Sequence, residues 1–235
     1  MHRFARVGST NDEAKRLAGE GHGHGTMVVA DEQTAGRGRR GRVWFSPIGN
    51  LFCSILLDPG PEPARSSELV FVAAVALREA LEAVTPGANF VCKWPNDILC
   101  DGAKVSGMLL EMAQPFVILG VGVNVVAGPP ADMQQYPATC LADAGSKADA
   151  QTVCAAFGDR LEFWYDTWRT EGFGPMRQVW IDHAAGIGKP VTVRLADTTV
   201  LEGNFGGLDA HGALLLDTAD GKRQPVMAGD VFFAA

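Results

Sequence analysis

Gly36-Arg37-Gly38-Arg39-Arg40-Gly41-Arg42-Val43-Trp44-Phe45-Ser46-Pro47 is the stretch on which the fold turns. Its first six residues match G-x-G-x-x-G, which in a doubly wound fold opens a helix whose N-terminus carries a pyrophosphate. Here Val43-Trp44-Phe45-Ser46-Pro47 follows, and the proline argues against a helix at that point. Arginines at the x positions would also prevent close helix–strand packing, and no Walker A sequence occurs anywhere in the chain. The segment therefore reads as an anion loop outside a Rossmann unit.

Its chemistry is local. Four guanidiniums alternate with three glycines in residues 36–42. Glycine lets backbone N–H groups approach an anion, and arginine supplies bidentate forks for phosphate or carboxylate. Such charge-assisted bonds are worth ~1.5–3 kcal/mol each, while ordering the loop costs roughly 1–2 kcal/mol per residue. The sums are similar, so the loop is expected to be disordered when empty and ordered over a ligand. The plainer reading is a solvated charged turn. An RNA-tracking Arg/Gly segment is the other rival, but those recur in disordered tracts, and this one occurs once in an apolar framework.

Working outward, Ser9-Thr10-Asn11-Asp12-Glu13 reads as a helix start, with Thr10 and Glu13 at capping-box spacing. Strands are expected at 27–30, 51–57, 90–94, 98–100, 104–112 and 116–123, with Asp101-Gly102 as a hairpin turn. Helices are expected at 67–84, 150–170 and 175–184. The second of these carries an aromatic face of Phe157, Phe163, Trp164 and Trp168. A Pro- and Gly-rich loop spans 127–137. From Lys189 the period changes to two, with strands at 191–194, 200–205, 213–216 and 223–227. Together these elements predict an α+β fold: a larger domain at 1–186 with a mixed sheet flanked by helices, and a small SH3-like β-barrel at 187–235.

The whole chain sets limits. It has 235 residues, 47% hydrophobic and 20% charged, with a formal net charge of -7. That charge disfavours nucleic acid or anionic membrane as a general partner, so any basic function must be local. The N-terminus lacks a signal-peptide h-region, and no apolar run is long enough to cross a bilayer. Five scattered cysteines without a C-x-x-C pair read as reduced thiols, which suits a cytoplasmic protein.

Lys93-Trp94-Pro95-Asn96-Asp97 is the second unusual segment. The residue before a proline is held extended, pinning Trp94 at a strand end, so Asn96 and Asp97 emerge at a fixed place. Taken alone, it could equally be a plain turn over a buried Trp. Lys104 follows the hairpin turn and would by itself be a solvated charge. His22 and His24 have no third ligand nearby, and a flexible turn suits them better than a metal.

The order of these pieces is specific. Ser9-Thr10-Asn11, Gln33, GRGRRGR followed by Trp44, KWPND, Lys104-Val105-Ser106-Gly107 and Gly120-Val121-Gly122-Val123-Asn124 resemble the biotin protein ligases, and the likeness continues into Gly207-Leu208-Asp209 and residues 212–216. The lipoate ligases share the catalytic fold and rank second. A non-catalytic nucleic-acid module is the reading from a different class.

The resemblance implies an enzyme that makes biotinyl-5′-AMP from biotin and ATP with Mg²⁺. It then passes biotin to a lysine of a biotin carboxyl carrier protein, typically a subunit of an acyl-CoA carboxylase. It implies that Ser9, Thr10, Asn11, Gln33 and Gly120 face the biotin head. Gly36, Arg37, Gly38 and Arg39 would form the loop closing over biotin and phosphate. Lys104 would reach the biotin carboxylate and the phosphate, with Gly107 allowing close approach. On the nucleotide side it implies Arg40, Arg42, Trp44 stacked on adenine, Asn96 and Asn124. Asp97 would either help hold Mg²⁺ or accept a proton from the incoming lysine. Lys104, Arg39 and Asp97 are thus the expected catalytic residues. Bifunctional members of the family carry an N-terminal DNA-binding domain, whereas nothing before residue 9 is expected to fold, so ligase activity without operator binding is expected. Homodimers occur in the family, and pairing is expected as an option here.

Overall fold

A computed structural model describes residues 1–134 and 136–233. Residue 135 of the 127–137 loop and the last two residues of the 187–235 unit lie outside it. The chain runs through β1 (His2–Val7), α1 (Thr10–Gly19), β2 (Met27–Gln33), β3 (Leu51–Leu57), α2 (Leu69–Val84), β4 (Phe90–Lys93), β5 (Asp97–Cys100), β6 (Ala103–Ala113) and β7 (Phe116–Val123). Then come α3 (Ala150–Glu171), α4 (Gly174–Asp182), β8 (Pro190–Arg194), β9 (Val200–Leu208), β10 (Leu214–Asp217), β11 (Arg223–Val226) and β12 (Asp230–Phe233).

The first seven strands form one mixed sheet in the order β1-β2-β3-β7-β6-β5-β4, parallel only between β1 and β2. β3 reads Leu-Phe-Cys-Ser-Ile-Leu-Leu and is buried at every position, as a strand covered on both faces must be. Cys53, Ile55 and Leu57 face the larger core with α2 and α3, whereas Leu56 joins Ala14 and Leu17 of α1 on the opposite face. α2 buries Leu69, Phe71, Val72, Val75, Leu77 and Leu81. Each large apolar side chain so covered contributes about 1.5–3 kcal/mol, so the sheet carrying the site rests on a firm backing. α1 covers only part of the other face, and the uncovered part becomes the site.

The remaining strands make a five-stranded antiparallel sheet in the order β11-β10-β9-β8-β12. It is locked to the first unit. Trp94 Nε1 donates to Gly212 O at 3.1 Å, and Arg177 Nε donates to Asp209 O at 2.8 Å. Gly212 has φ +86, and a Cβ there would meet the Phe71 ring at 2.4 Å. Only glycine allows the β unit to settle this closely on α2.

Several expectations change. Residues 2–7, expected not to fold, form β1 by borrowing the edge of β2, so their order comes from a neighbour and not from themselves. α1 has Ser9 as its N-cap with no side-chain cap bond; there is no Thr10–Glu13 capping box, because Gln33 Oε1 accepts from Thr10 N at 2.9 Å in its place. Phe163 is exposed, since it falls off the buried stripe of Phe157, Leu161, Trp164 and Trp168. β12 completes the C-terminal sheet where no strand was expected. All five cysteines are buried and unpaired. Among the described residues, no helix is long and apolar enough to cross a membrane.

Candidate active site

The site is a cavity of about 360 Å³ over the open face of β6 and β7. Thr10 and Asn11 at the start of α1, Gln33 at the end of β2, the arginine segment, Asn96, Asp97, Lys104 and Asn124 all line it. Of the residues expected in the site, only Gly36 and Arg40 lie off its wall. Gly36 packs the loop instead, because a Cβ there would sit 2.5 Å from Ser46 Oγ.

One end is neutral and closely hydrogen-bonded. Gln33 Oε1 accepts from Thr10 N and lies 3.2 Å from Thr10 Oγ1, while Gln33 Nε2 donates to Ser46 Oγ at 3.2 Å. Ser54 Oγ lies 2.7 Å from Thr10 Oγ1 and 2.6 Å from Asn11 Oδ1. Asn11 Nδ2 donates to Glu111 Oε2 at 2.7 Å. Gly120, paired with Ser54 across the strands, makes room for the Asn11 carboxamide, which a Cβ would meet at 2.3 Å.

The other end is ionic. Lys104 Nζ lies 2.6 Å from Asp97 Oδ1, an ion contact without hydrogen-bond alignment, so that buried oxygen has no hydrogen-bond partner. Lys93 Nζ is 3.9 Å from Asp97 Oδ2 and 3.7 Å from the centre of the Tyr136 ring. Burial lowers the Lys93 ammonium to about 8, although Asp97 opposes the shift. Asn124 Oδ1 is buried without a partner, while Asn124 Nδ2 donates to Thr139 O. Asn96 Oδ1 accepts from Arg39 Nη1 at 3.1 Å.

The arginines find carboxylates within the protein. Arg37 pairs with Asp12 at 2.7 Å and with Glu111 at 3.0 Å. Arg40 and Arg42 pair with Asp230 at 3.0 and 2.7 Å, and Arg39 lies 3.8 Å from the same residue. Burial weakens the hold of Arg39 on its proton. For Asp230, burial opposes ionisation but the arginines outweigh it and hold the carboxyl below its usual range. The segment closes on itself as well: Gly38 N donates to Arg42 O at 2.7 Å, with Arg40 left-handed at φ 57. The sequence reading balances its arginines against a ligand alone, whereas Asp12, Glu111 and Asp230 hold them.

Trp44 lies flat on the floor. A Cβ on Gly122 would meet its indole nitrogen at 2.4 Å, and Trp44 Nε1 is buried without a partner. Gly107 pairs with Gly122 across β6 and β7 and faces the same ring, with Lys104 Nζ close by. Four residues that shape the site were not expected in it: Ser54, Glu111, Lys93 and Asp230. A lone serine in an otherwise apolar strand is the one available signal, and it points to Ser54. Nothing local marks Asp230, which arrives from a strand some 190 residues beyond the arginines it meets.

Residues 4–124 match the Biotin/lipoate A/B protein ligase family, and residues 186–234 match the Biotin protein ligase C terminal domain. The chain is 38% identical to the biotin--[acetyl-CoA-carboxylase] ligase of Paracoccus denitrificans, over 98% of this chain and 99% of that one. It is 37% identical to the bifunctional ligase/repressor BirA of Bacillus subtilis, over 93% of this chain and 69% of that protein. The biotin protein ligase of Aquifex aeolicus, solved in complex with biotin and ATP, superposes with a TM-score of 0.88 at 29% identity, covering 99% of this chain and 98% of that chain. On the family match and the near full-length identity together, the chain belongs to the biotin/lipoate A/B protein ligase family, on its biotin protein ligase side.

Proposed function

We propose that this chain activates biotin with ATP to biotinyl-5′-AMP and then transfers biotin to a lysine of a carrier protein of a biotin-dependent carboxylase. The observation that carries this is one cavity with a neutral hydrogen-bonding end and a cationic end. That pattern suits a cyclic urea joined to a carboxylate that meets a phosphate. Residues 1–186 act as the catalytic domain and 187–235 as the C-terminal domain in this reading.

Thr10, Asn11 and Gln33, with Ser9 and Gly120 behind them, would take the ureido head. Lys104 and Arg39 would neutralise the biotin carboxylate and the α-phosphate, whose mutual repulsion otherwise opposes attack. A carboxylate oxygen then attacks the α-phosphorus as the bond to pyrophosphate breaks. Asn124 Oδ1 offers an unused acceptor to the adenine amine, with Asn96 beside it. Stacking on adenine would require Trp44 to lift off Gly122. Arg40 and Arg42 would turn from Asp230 towards phosphate, while Gly36, Arg37 and Gly38 would close over biotin and keep water from the mixed anhydride. In the second step the carrier lysine attacks the acyl carbon and AMP leaves. Asp97 would take the proton that this lysine must lose.

Asp97 would serve as one carboxylate for Mg²⁺, which takes one or two and is otherwise held by phosphates, with its Oδ1 exchanging the Lys104 ammonium for the ion. The ion would supply charge neutralisation between phosphates. Among the described residues, no group of three or more His, Cys, Asp or Glu could hold a metal alone. An acyl-CoA carboxylase subunit is the proposed carrier, in the cytoplasm, with homodimers an open form. We assign no DNA-reading role, because the net charge is -7 and the arginines rest on carboxylates. Mixing the protein with biotin, Mg-ATP and an apo carrier domain tests the proposal by mass spectrometry. One biotinyl addition on the carrier is expected, and an unmodified carrier refutes it.

A further inference from the structure

Resting on the biotin reading above, we propose that Glu111 sets the polarity of the head subsite, orienting Asn11 so that the hydroxyl hydrogens run towards it and leave Thr10 Oγ1 as an acceptor for a ligand N–H. Four oxygens form a row with three short gaps: Asn11 Oδ1 to Ser54 Oγ at 2.6 Å, Ser54 Oγ to Thr10 Oγ1 at 2.7 Å, and Thr10 Oγ1 to Gln33 Oε1 at 3.2 Å. Each hydroxyl carries one hydrogen, and an amide oxygen carries none. Two hydrogens cannot fill three gaps. The gap left without a proton is the 3.2 Å one, because Gln33 Oε1 already receives Thr10 N; Ser54 then donates to Asn11 Oδ1 and Thr10 to Ser54.

Both ends of the row are fixed as acceptors. At one end, Gln33 Oε1 already receives Thr10 N at 2.9 Å, so the Gln33 amide cannot turn its nitrogen inward. At the other end, Asn11 could in principle rotate by half a turn. Its Nδ2 would then donate to Ser54, Ser54 to Thr10 and Thr10 to Gln33, and all three gaps would be filled. Glu111 prevents this. Rotation would set Asn11 Oδ1 against Glu111 Oε2 at the 2.7 Å now spanned by a hydrogen bond, acceptor on acceptor. Amide orientation is decided by such networks. Glu111 sits on β6 and is itself held by Arg37 Nε and Nη2 at 3.2 and 3.0 Å, so it does not turn away.

The row is thus left with Thr10 Oγ1 giving its hydrogen to Ser54 and keeping lone pairs free, and Thr10 lines the cavity. A ureido N–H can donate to that oxygen, whereas a ligand group that only accepts cannot. Glu111 touches neither the ligand nor the reacting atoms; it is a positioning residue acting through Asn11.

Glu111→Gln provides the test, because a glutamine amide can donate to a rotated Asn11 and let the row close on itself. Biotin affinity of the full chain should fall about tenfold, with the KM for ATP and the thermal midpoint unchanged. Preference for biotin over analogues methylated at a ureido nitrogen should shrink by a similar factor. Asp12→Asn, which removes the other carboxylate on Arg37, should leave that preference intact. The proposal fails if the Glu111 variant keeps both affinity and preference, if Asp12→Asn reproduces the loss, or if the ATP KM rises in step. Wild-type protein that supports no biotin-dependent exchange of pyrophosphate into ATP would overturn the ligase reading itself, a separate result.

Discussion

The two ends of the cavity are built on opposite principles. The head end is neutral, made of Thr10, Asn11, Gln33 and Ser54 on one helix and two strands of the same sheet. Ser54 is fully buried and Thr10 and Asn11 nearly so, and the geometry is fixed by packing. The phosphate end is ionic, with Lys93, Lys104, Asp97 and the arginines, and it is finished by Asp230 from the other sheet. Neutral hydrogen bonds discriminate by direction, whereas ion pairs neutralise charge and can exchange partners. Recognition belongs on the rigid end and chemistry on the exchangeable one.

The largest effect that this contrast predicts is at Lys104. Lys104→Ala should cut adenylate formation by about 10²–10³-fold, as loss of one charge-stabilising group does. The melting temperature should barely move, because the side chain lines the cavity and not the core; a large drop would make Lys104 structural. Next comes Ser54→Val, which strands Thr10 and Asn11 without their shared partner. Biotin affinity should fall about 10–100-fold at unchanged ATP affinity, a cost of ~1–3 kcal/mol for buried unmet groups. Equal losses for both ligands would erase the division between the ends.

Arg39→Gly should be milder. The loop keeps Arg37, Arg40 and Arg42 on their carboxylates, so release of biotinyl-AMP should quicken about tenfold, the worth of one charge-assisted bond. An unchanged release rate removes Arg39 from the closing loop. The smallest effect is on stability. Lys93 titrates near 8 in the folded chain, against the ordinary lysine value of 10.5 once the chain is unfolded. Between those values the unfolded state binds more protons, so stability should rise with pH over that window. Below about 8 both states are protonated and this contribution is flat. Urea denaturation of Lys93→Met should lose the rise; a rise that persists would assign it to another group.

How much of this is legible in the sequence follows the same division. The central strands can be read nearly to their ends, since β3 and β7 are continuous apolar runs and Asp101-Gly102 marks the β5–β6 turn. Edge strands cannot: His2–Val7 and Asp230–Phe233 are short and polar in part, and each depends on its neighbour for order. On the site, cavity-lining residues such as Thr10, Gln33, Lys104 and Asn124 are identifiable through motifs. Their partners are harder. Glu111 and Asp230 act across long sequence separations, and a carboxylate in a strand looks like a solvated one until its arginine is known. The partners of the arginine loop escape the sequence for that reason, because its arginines are visible there without the acids that pair with them.

That one cavity joins a biotin head to an activated phosphate is tested most directly by exchange of labelled pyrophosphate into ATP, with biotin, lipoate or no acid present. Exchange that requires biotin and saturates with it is the predicted result. Exchange driven equally by lipoate, or none with biotin, would contradict it.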